Sequence, residues 1–388
     1  MKILVAKEID MGERRVALVP DVVSRLVKSG LEVWIESGAG DRAFFADSLY
    51  EAAGATIKAD AQQAWTEADA ILKVGTLQGR DTGHELDWLR SGQVLISFLD
   101  PLGNPQLFQK LAEKGVTAFA MELIPRISRA QSMDALSSQA NIAGYKAVLL
   151  GSAALPKYFP MLTTAAGTIA PAKVLVMGAG VAGLQAIATA RRLGAVVSAF
   201  DIRPEVKEQV QSLGAKFVDV TLQEETRAEG GYAKELSQDA QEQTRKVLTE
   251  YVQQSDVVIT TAQVPGKKAP ILVTDTMLQG MKPGSVVVDL AAEQGGNCEG
   301  SEPGKDVQKY GVTIMGPINL PASLPVHASQ LYAKNVQALL QLLVKDKALK
   351  LDFEDEVIVG ACATHNGKIT NDRIQSLLDS LGTPVATA

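Results

Sequence analysis

The spacing of Gly178, Gly180 and Gly183 offers the clearest chemistry in this chain, because it can bring backbone N–H groups against a pyrophosphate. The apolar run VLVM at 174–177 leads into these glycines, and an alanine-rich run with helical spacing follows at 184–193. In that context Gly178 permits a tight turn, Gly180 allows a phosphate to approach, and Gly183 lets helix and strand pack closely. The start of the helix adds unpaired N–H groups of the polarity an anion needs. Asp201, 21 residues after Gly180 at the end of the next apolar run, can accept hydrogen bonds from the hydroxyls of an adenosine ribose. Its charge disfavours a 2′-phosphate and weights the site toward NAD, whereas Arg203 can accommodate that phosphate and keeps NADP open. The glycines could also form only a βα turn, but strand, helix and Asp201 stand together in the register of a dinucleotide site. A second stretch, ESGAG at 36–40, has Ala43 in place of a third glycine and no acid ending a following strand, and reads as a turn.

A polar segment precedes this motif. Residues 125–134, PRISRAQSMD, gather two arginines, two serines, a glutamine and an aspartate. Gln131 can bond a carboxamide, Asp134 and Ser137 can fix its orientation, and Arg126 can reach a phosphate or carboxylate. Equally, Ser132 to Asp134 can cap the following helix and the arginines can form a solvated surface. Residues 221–249, rich in Gln, Glu, Lys and Thr, contain Gly230, Gly231 and Tyr232. They read either as a lid hinged on the paired glycines, with Tyr232 laid over a ligand, or as a surface helix reached through a loop. What is missing matters as well. Hydride transfer to a carbonyl calls for a general acid, and none of His84, His327 and His365 is expected beside a strand end in the first domain. Lys73 could bind an acid's carboxylate, although a structural role is the stronger reading.

Two series of short runs rich in Val, Ile and Leu must position these groups. The first occupies 3–6, 33–35, 70–74, 94–99 and 117–120, and a helix-compatible run follows at 135–150. The second, at 174–177, 196–200, 216–218, 257–261, 286–290 and 313–315, supplies the six strands of a doubly wound sheet. A helix is predicted over 328–344 from Leu331, Val336, Leu339, Leu340 and Leu343, then a strand over 358–363 and a hairpin turn at Asn366 and Gly367. A lone helix and strand after a completed sheet imply that the C-terminal segment returns to the first domain. The expected fold is therefore α/β, with two Rossmann-like doubly wound parallel-sheet domains and a cleft between them. The first is discontinuous, 1–134 plus 328–388, and the second, 135–327, holds NAD(H).

The 388 residues exceed one ordinary domain, and the net charge of −6 provides no basic stripe for nucleic acid. Cys298 and Cys362 are the only cysteines and lie too far apart for a CxxC metal site; both are expected to be small buried hydrophobes in a reducing cytoplasm. No leader pattern opens the sequence and no apolar run nears the roughly 20 residues that span a bilayer, so the chain by itself is expected to be soluble.

With these residues in view, the chain resembles the NAD(H)-binding component of the proton-translocating NAD(P) transhydrogenases over nearly its whole length. The resemblance rests on Lys7-Glu8 with GERRVA at 12–17, MELIPRISRAQSMD at 121–134, the glycine segment 178–190, GGYAKE at 230–235 and DLAAEQGGN at 289–297. It implies that Arg126, Gln131, Asp134 and Ser137 position a nicotinamide, within a loop that also offers Ile127, Ser128 and Arg129. It implies that Val181, Asp201, Ile202 and Arg203 hold the pyrophosphate and adenosine side, and that Tyr232 lies on a mobile loop that closes over the nucleotide. Gly231, Gln243 and Gln263 are lesser candidates. The family binds NAD(H) in this component and NADP(H) in another, which turns the Arg203 ambiguity toward NAD. A homodimer is implied, docked on membrane-spanning subunits and an NADP(H)-binding beta subunit at the cytoplasmic face of the bacterial inner membrane. Transfer between two nicotinamides moves no proton at the reacting carbons, so the missing acid–base pair becomes intelligible and positioning supplies the catalysis. Alanine dehydrogenase shares the architecture and is the alternative. In that family a His follows the strand equivalent to 94–99 and works with a lysine resembling Lys73; here Asp100 follows Leu99, which puts amino-acid oxidation in doubt.

Overall fold

The computed structural model describes residues 1–220, 238–264 and 266–382. The chain divides into two units, Met1–Gln139 with Ala322–Ala388, and Ala140–Pro321.

In the first unit, Val, Ile and Leu runs form a sheet in the order Lys368–Ile369, Cys362–His365, Thr117–Ala120, Val94–Ser97, Ala70–Leu72, Lys2–Val5, Glu32–Glu36, Thr56–Lys58. The six strands from Thr117–Ala120 to Thr56–Lys58 are parallel and the two C-terminal ones close the edge antiparallel. Alternation along each strand sends side chains into separate cores, as parallel strands covered on both faces require. Ile3, Val5, Leu72 and Ile96 meet Tyr332, Val336 and Leu340 of the helix Pro325–Leu343, while Leu4, Ile71 and Leu95 join Trp65, Trp88 and Phe108.

The predicted strand at 358–363 is corrected. Glu356–Ala361 is a helix, and the strand starts at Cys362. Such a short apolar run does not declare its period. The carboxylate of Asp355 accepts the N–H groups of Val357 and Ile358 and starts the helix as its N-cap. The hairpin forms where Asn366 and Gly367 adopt φ of 49° and 76°, between the pairs Thr364–Ile369 and His365–Lys368.

In the second unit the order is Lys216–Phe217, Val196–Phe200, Lys173–Met177, Val257–Thr260, Val286–Asp289, Val312–Met315, Asp306–Lys309, the doubly wound order with one antiparallel polar edge. The parallel sheets expected from sequence carry antiparallel edges in both units, built from the short strands Cys362–His365, Lys368–Ile369 and Asp306–Lys309. The chain order reverses between Lys173–Met177 and Val257–Thr260, so a crevice belongs at the C-terminal ends of those two strands. Among the described residues no helix is long and apolar enough to cross a membrane.

Candidate functional site

The glycine motif occupies that crevice. Gly178 leaves the strand Lys173–Met177 at φ 101°, a backbone conformation that side chains rarely adopt. A Cβ on Gly183 would lie 1.8 Å from the Gly178 carbonyl oxygen, so only glycine lets the helix Val181–Arg192 start this close to the strand. A Cβ on Gly180 would meet nothing within 4 Å. Gly180 is the N-cap of that helix and supplies no side-chain cap, leaving first-turn N–H groups to an outside acceptor. Val181, on that first turn, is exposed. An open cradle beside uncapped donors fits the pyrophosphate of a dinucleotide.

Asp201 is buried at the end of Val196–Phe200 and is fully engaged by its own chain. One carboxylate oxygen accepts the N–H of Ala179 at 2.7 Å and Nη2 of Arg203 at 2.9 Å; the other accepts the backbone N–H and Nε of Arg203, both at 2.9 Å. Arg203, read from sequence as a possible 2′-phosphate receptor, is folded back onto the carboxylate instead. Ile202 between them is half-buried. Gln263, exposed beyond Val257–Thr260, donates to the Leu290 carbonyl at 2.9 Å. Gly231 and Tyr232 lie outside the described residues, and Gln243 sits in the helix Gln238–Gln254.

In the first unit, the 3-10 turn Ser128–Met133 buries Ala130 and Met133 and leaves Arg126, Ser128, Arg129 and Gln131 exposed, with Ile127 half-buried. The helix Pro325–Leu343 fixes this turn, because Asn335 donates to the Ser132 carbonyl at 2.8 Å and accepts from the Ser138 hydroxyl at 2.7 Å. Asp134 accepts the backbone N–H of Ser137 at 2.9 Å and its hydroxyl at 2.6 Å, so the capping role is realised and the serine is oriented by the same bonds. Arg129 forms a bidentate pair with Asp355 at 2.6 and 2.9 Å, and its Nε reaches Glu356 at 3.3 Å. Arg126, Gln131, Asp134 and Ser137 therefore share one segment of the first unit, whereas Gly178, Gly180, Val181, Gly183, Asp201, Ile202, Arg203 and Gln263 belong to the second.

The first unit has its own reversal of strand order, between Lys2–Val5 and Ala70–Leu72, and it is filled from within. Glu8 accepts the N–H groups of Val74 and Gly75 at 2.6 and 3.3 Å. Lys73 is 0% exposed, with Glu8 at 3.2 Å and Glu85 at 3.1 Å. Burial alone would strip the charge from Lys73, but the two carboxylates hold its ammonium above the ordinary range. Arg80 ties Glu85 to Glu36. Lys73 is thus spent on an internal charge network. Asp100, at φ 52°, is exposed after Leu99. Glu122 binds the N–H groups of both residues through Oε1, while its Oε2 is sealed from solvent with no hydrogen-bond partner among the described residues. Burial pushes that carboxyl up to about 7.

Sequence reasoning gave no role to Thr261, Asp289 or Asn297. Thr261 donates its hydroxyl to the Gly178 carbonyl at 3.0 Å, and the other two lie in the 289–297 stretch, which entered the sequence reading only as part of the family resemblance.

Residues 4–143 match the alanine dehydrogenase/PNT N-terminal domain and residues 147–372 the C-terminal domain. The chain belongs to the alanine dehydrogenase/PNT family. Within that family it is 49% identical over 376 residues to an NAD(P) transhydrogenase subunit alpha polypeptide of Rhodospirillum rubrum, covering 96% of this chain and 98% of the relative. The alanine dehydrogenase of Bacillus subtilis is 30% identical over 383 residues, covering 96% and 94%. The crystal structure of transhydrogenase from Sinorhizobium meliloti superposes with a TM-score of 0.82 at 45% identity, covering 95% of this chain and 98% of that one.

Proposed function

We propose that this chain is the NAD(H)-binding component of a proton-translocating NAD(P) transhydrogenase, passing hydride between NADH held here and NADP held on a partner subunit. The observation that carries the reading is a dinucleotide turn in a chain whose amino-acid-oxidising groups are spent: Lys73 is sealed between Glu8 and Glu85, and Asp100 stands where the alternative needs an imidazole. Carbonyl reduction requires a proton donor, whereas transfer between two nicotinamides requires placement. The greater identity to the transhydrogenase relative than to the alanine dehydrogenase supports the same choice.

When bound, NAD(H) supplies the ring carbon that gives or takes the hydride. The chain supplies position. Backbone N–H groups from Gly178 to Gly183, with Val181, hold the pyrophosphate, and Asp201 with Ile202 and Arg203 serves the adenosine side. Arg126, Gln131, Asp134 and Ser137 orient the nicotinamide, flanked by Ile127, Ser128 and Arg129. Tyr232 and, as lesser candidates, Gly231, Gln243 and Gln263 contribute further contacts to the nucleotide. The NAD(H)-binding domain is residues 135–327. As a subunit, the chain works as a homodimer with membrane-spanning subunits and an NADP(H)-binding beta subunit, on the cytoplasmic face of the bacterial inner membrane.

The test is to mix the chain with an NADP(H)-binding subunit and follow reduction of the acetylpyridine analogue of NAD by NADPH. Turnover on mixing, with none from either protein alone, is expected. No rate on mixing refutes the reading, and NADH formation from alanine and NAD⁺ by the chain alone establishes amino-acid oxidation instead.

A further inference from the structure

The stretch 289–297 contains a built support for the glycine crevice. Asp289, 0% exposed at the end of Val286–Asp289, spends both oxygens on backbone and hydroxyl donors. One oxygen accepts the Thr260 hydroxyl at 2.9 Å and the Ala291 N–H at 3.0 Å; the other accepts the N–H groups of Asn297 at 2.8 Å and Cys298 at 3.1 Å. This fixes the backbone of Asn297, also 0% exposed. Its side chain then grips one residue from both sides, with Oδ1 accepting the Ala262 N–H at 3.0 Å and Nδ2 donating to the Ala262 carbonyl at 2.8 Å. The second Nδ2 hydrogen goes to the Pro270 carbonyl at 2.8 Å. A single amide orientation satisfies all three bonds, so the segment has one position rather than a range.

What Asn297 holds is the wall of the site. Ala262 follows Thr261, whose hydroxyl is bonded to the Gly178 carbonyl, and precedes Gln263. We propose that Asn297 is a positioning residue: through Ala262 it sets the segment Thr261 to Val264 against the glycine turn, and so sets the pose of the nicotinamide half of the bound dinucleotide. The three side-chain bonds of Asn297 go to Ala262 and Pro270 rather than to the Val181–Arg192 helix, so pose should change more than affinity. The proposal rests on NAD(H) binding at this crevice.

The test uses Asn297→Ser in the full chain, with Thr261→Val as a second variant that removes the hydroxyl bonds to the Gly178 and Met177 carbonyls and keeps the volume. Fluorescence of NADH bound to the chain alone reports the surroundings of the nicotinamide, and titration gives the dissociation constant. In whichever variant melts cooperatively, the emission yield of bound NADH shifts toward that of free NADH while the dissociation constant changes less than about threefold. Mixed with the NADP(H)-binding subunit, the same variant transfers hydride roughly 100-fold more slowly at saturating NADH, the order expected for an ångström of misplacement. A merely structural residue would lower the melting temperature and leave both the emission and the rate per bound site at wild-type values, and that result overturns the proposal. So does weaker NADH binding with an unchanged emission. A wild-type chain that binds NADH but transfers nothing on mixing would refute the transhydrogenase reading, while the emission comparison would still decide the role of Asn297.

Discussion

Gly180→Ala should leave the fold intact and remove the dinucleotide. The backbone at 180 has φ −75°, which alanine accepts, and its Cβ would meet nothing within 4 Å. Reduced freedom of the unfolded chain favours alanine slightly and the N-cap position disfavours it slightly, so stability should stay within about 0.5 kcal/mol. The new methyl group, however, stands in the space through which a phosphate approaches the first-turn N–H groups. Displacing the pyrophosphate by about 1 Å forfeits roughly two charge-assisted hydrogen bonds, about 3 kcal/mol and therefore roughly 150-fold in Kd. Thermal melting and NADH titration on the same preparation measure the two effects separately. A variant that melts like the wild type and binds NADH within about threefold would refute the assignment of this turn to the pyrophosphate.

Gly183→Ala should behave in the opposite way, because its Cβ meets the Gly178 carbonyl oxygen at 1.8 Å. The chain should lose several kcal/mol, on the order of 3 or more, seen as a large fall in melting temperature or in soluble yield. Asp201→Asn breaks the four-bond clamp on Ala179 and Arg203 and removes the charge that disfavours a 2′-phosphate. The ratio of NADPH to NADH affinity should rise about tenfold by titration, and an unchanged ratio would detach Asp201 from nucleotide choice. Glu122 has its carboxyl raised by burial from the ordinary 4.5 to about 7, so the folded chain keeps a proton that the unfolded chain has released between those values. The stability it contributes is fully present below pH 4.5 and is lost as pH rises through 7. Urea unfolding from pH 4.5 to 8 should show wild type losing about 2 to 3 kcal/mol relative to Glu122→Gln, and parallel curves would contradict the burial of that carboxyl.

The parts legible in the sequence were those where local chemistry admits few residues. Gly178 and Gly183 could be read because a left-handed turn and a helix start packed against the Gly178 carbonyl leave no room for a Cβ, and Asn366-Gly367 because a two-residue hairpin needs positive φ twice. The buried strands announced themselves by Val, Ile and Leu content. The helix Glu356–Ala361 did not, since its apolar run fits either period and the deciding Asp355 cap lies outside it. The polar strand Asp306–Lys309 carries too little apolar alternation to be seen, and Thr56–Lys58 is three residues long. The charge network at positions 8, 36, 73, 80 and 85 exists only once three strand ends and a loop converge, so sequence spacing carried no trace of it. Arg203 is the subtler case. Its presence near Asp201 suggested a phosphate receptor, and only the folded geometry turns it onto the carboxylate.

Direct transfer without a proton donor is the central claim, and an isotope decides it. The chain, an NADP(H)-binding subunit and NADP⁺ would be mixed in ordinary water with NADH deuterated at the transferring position of C4, and the NADPH formed would be examined by mass spectrometry. If position alone supplies the catalysis, the product carries the deuterium in full. NADPH whose new hydrogen came from solvent would contradict the account.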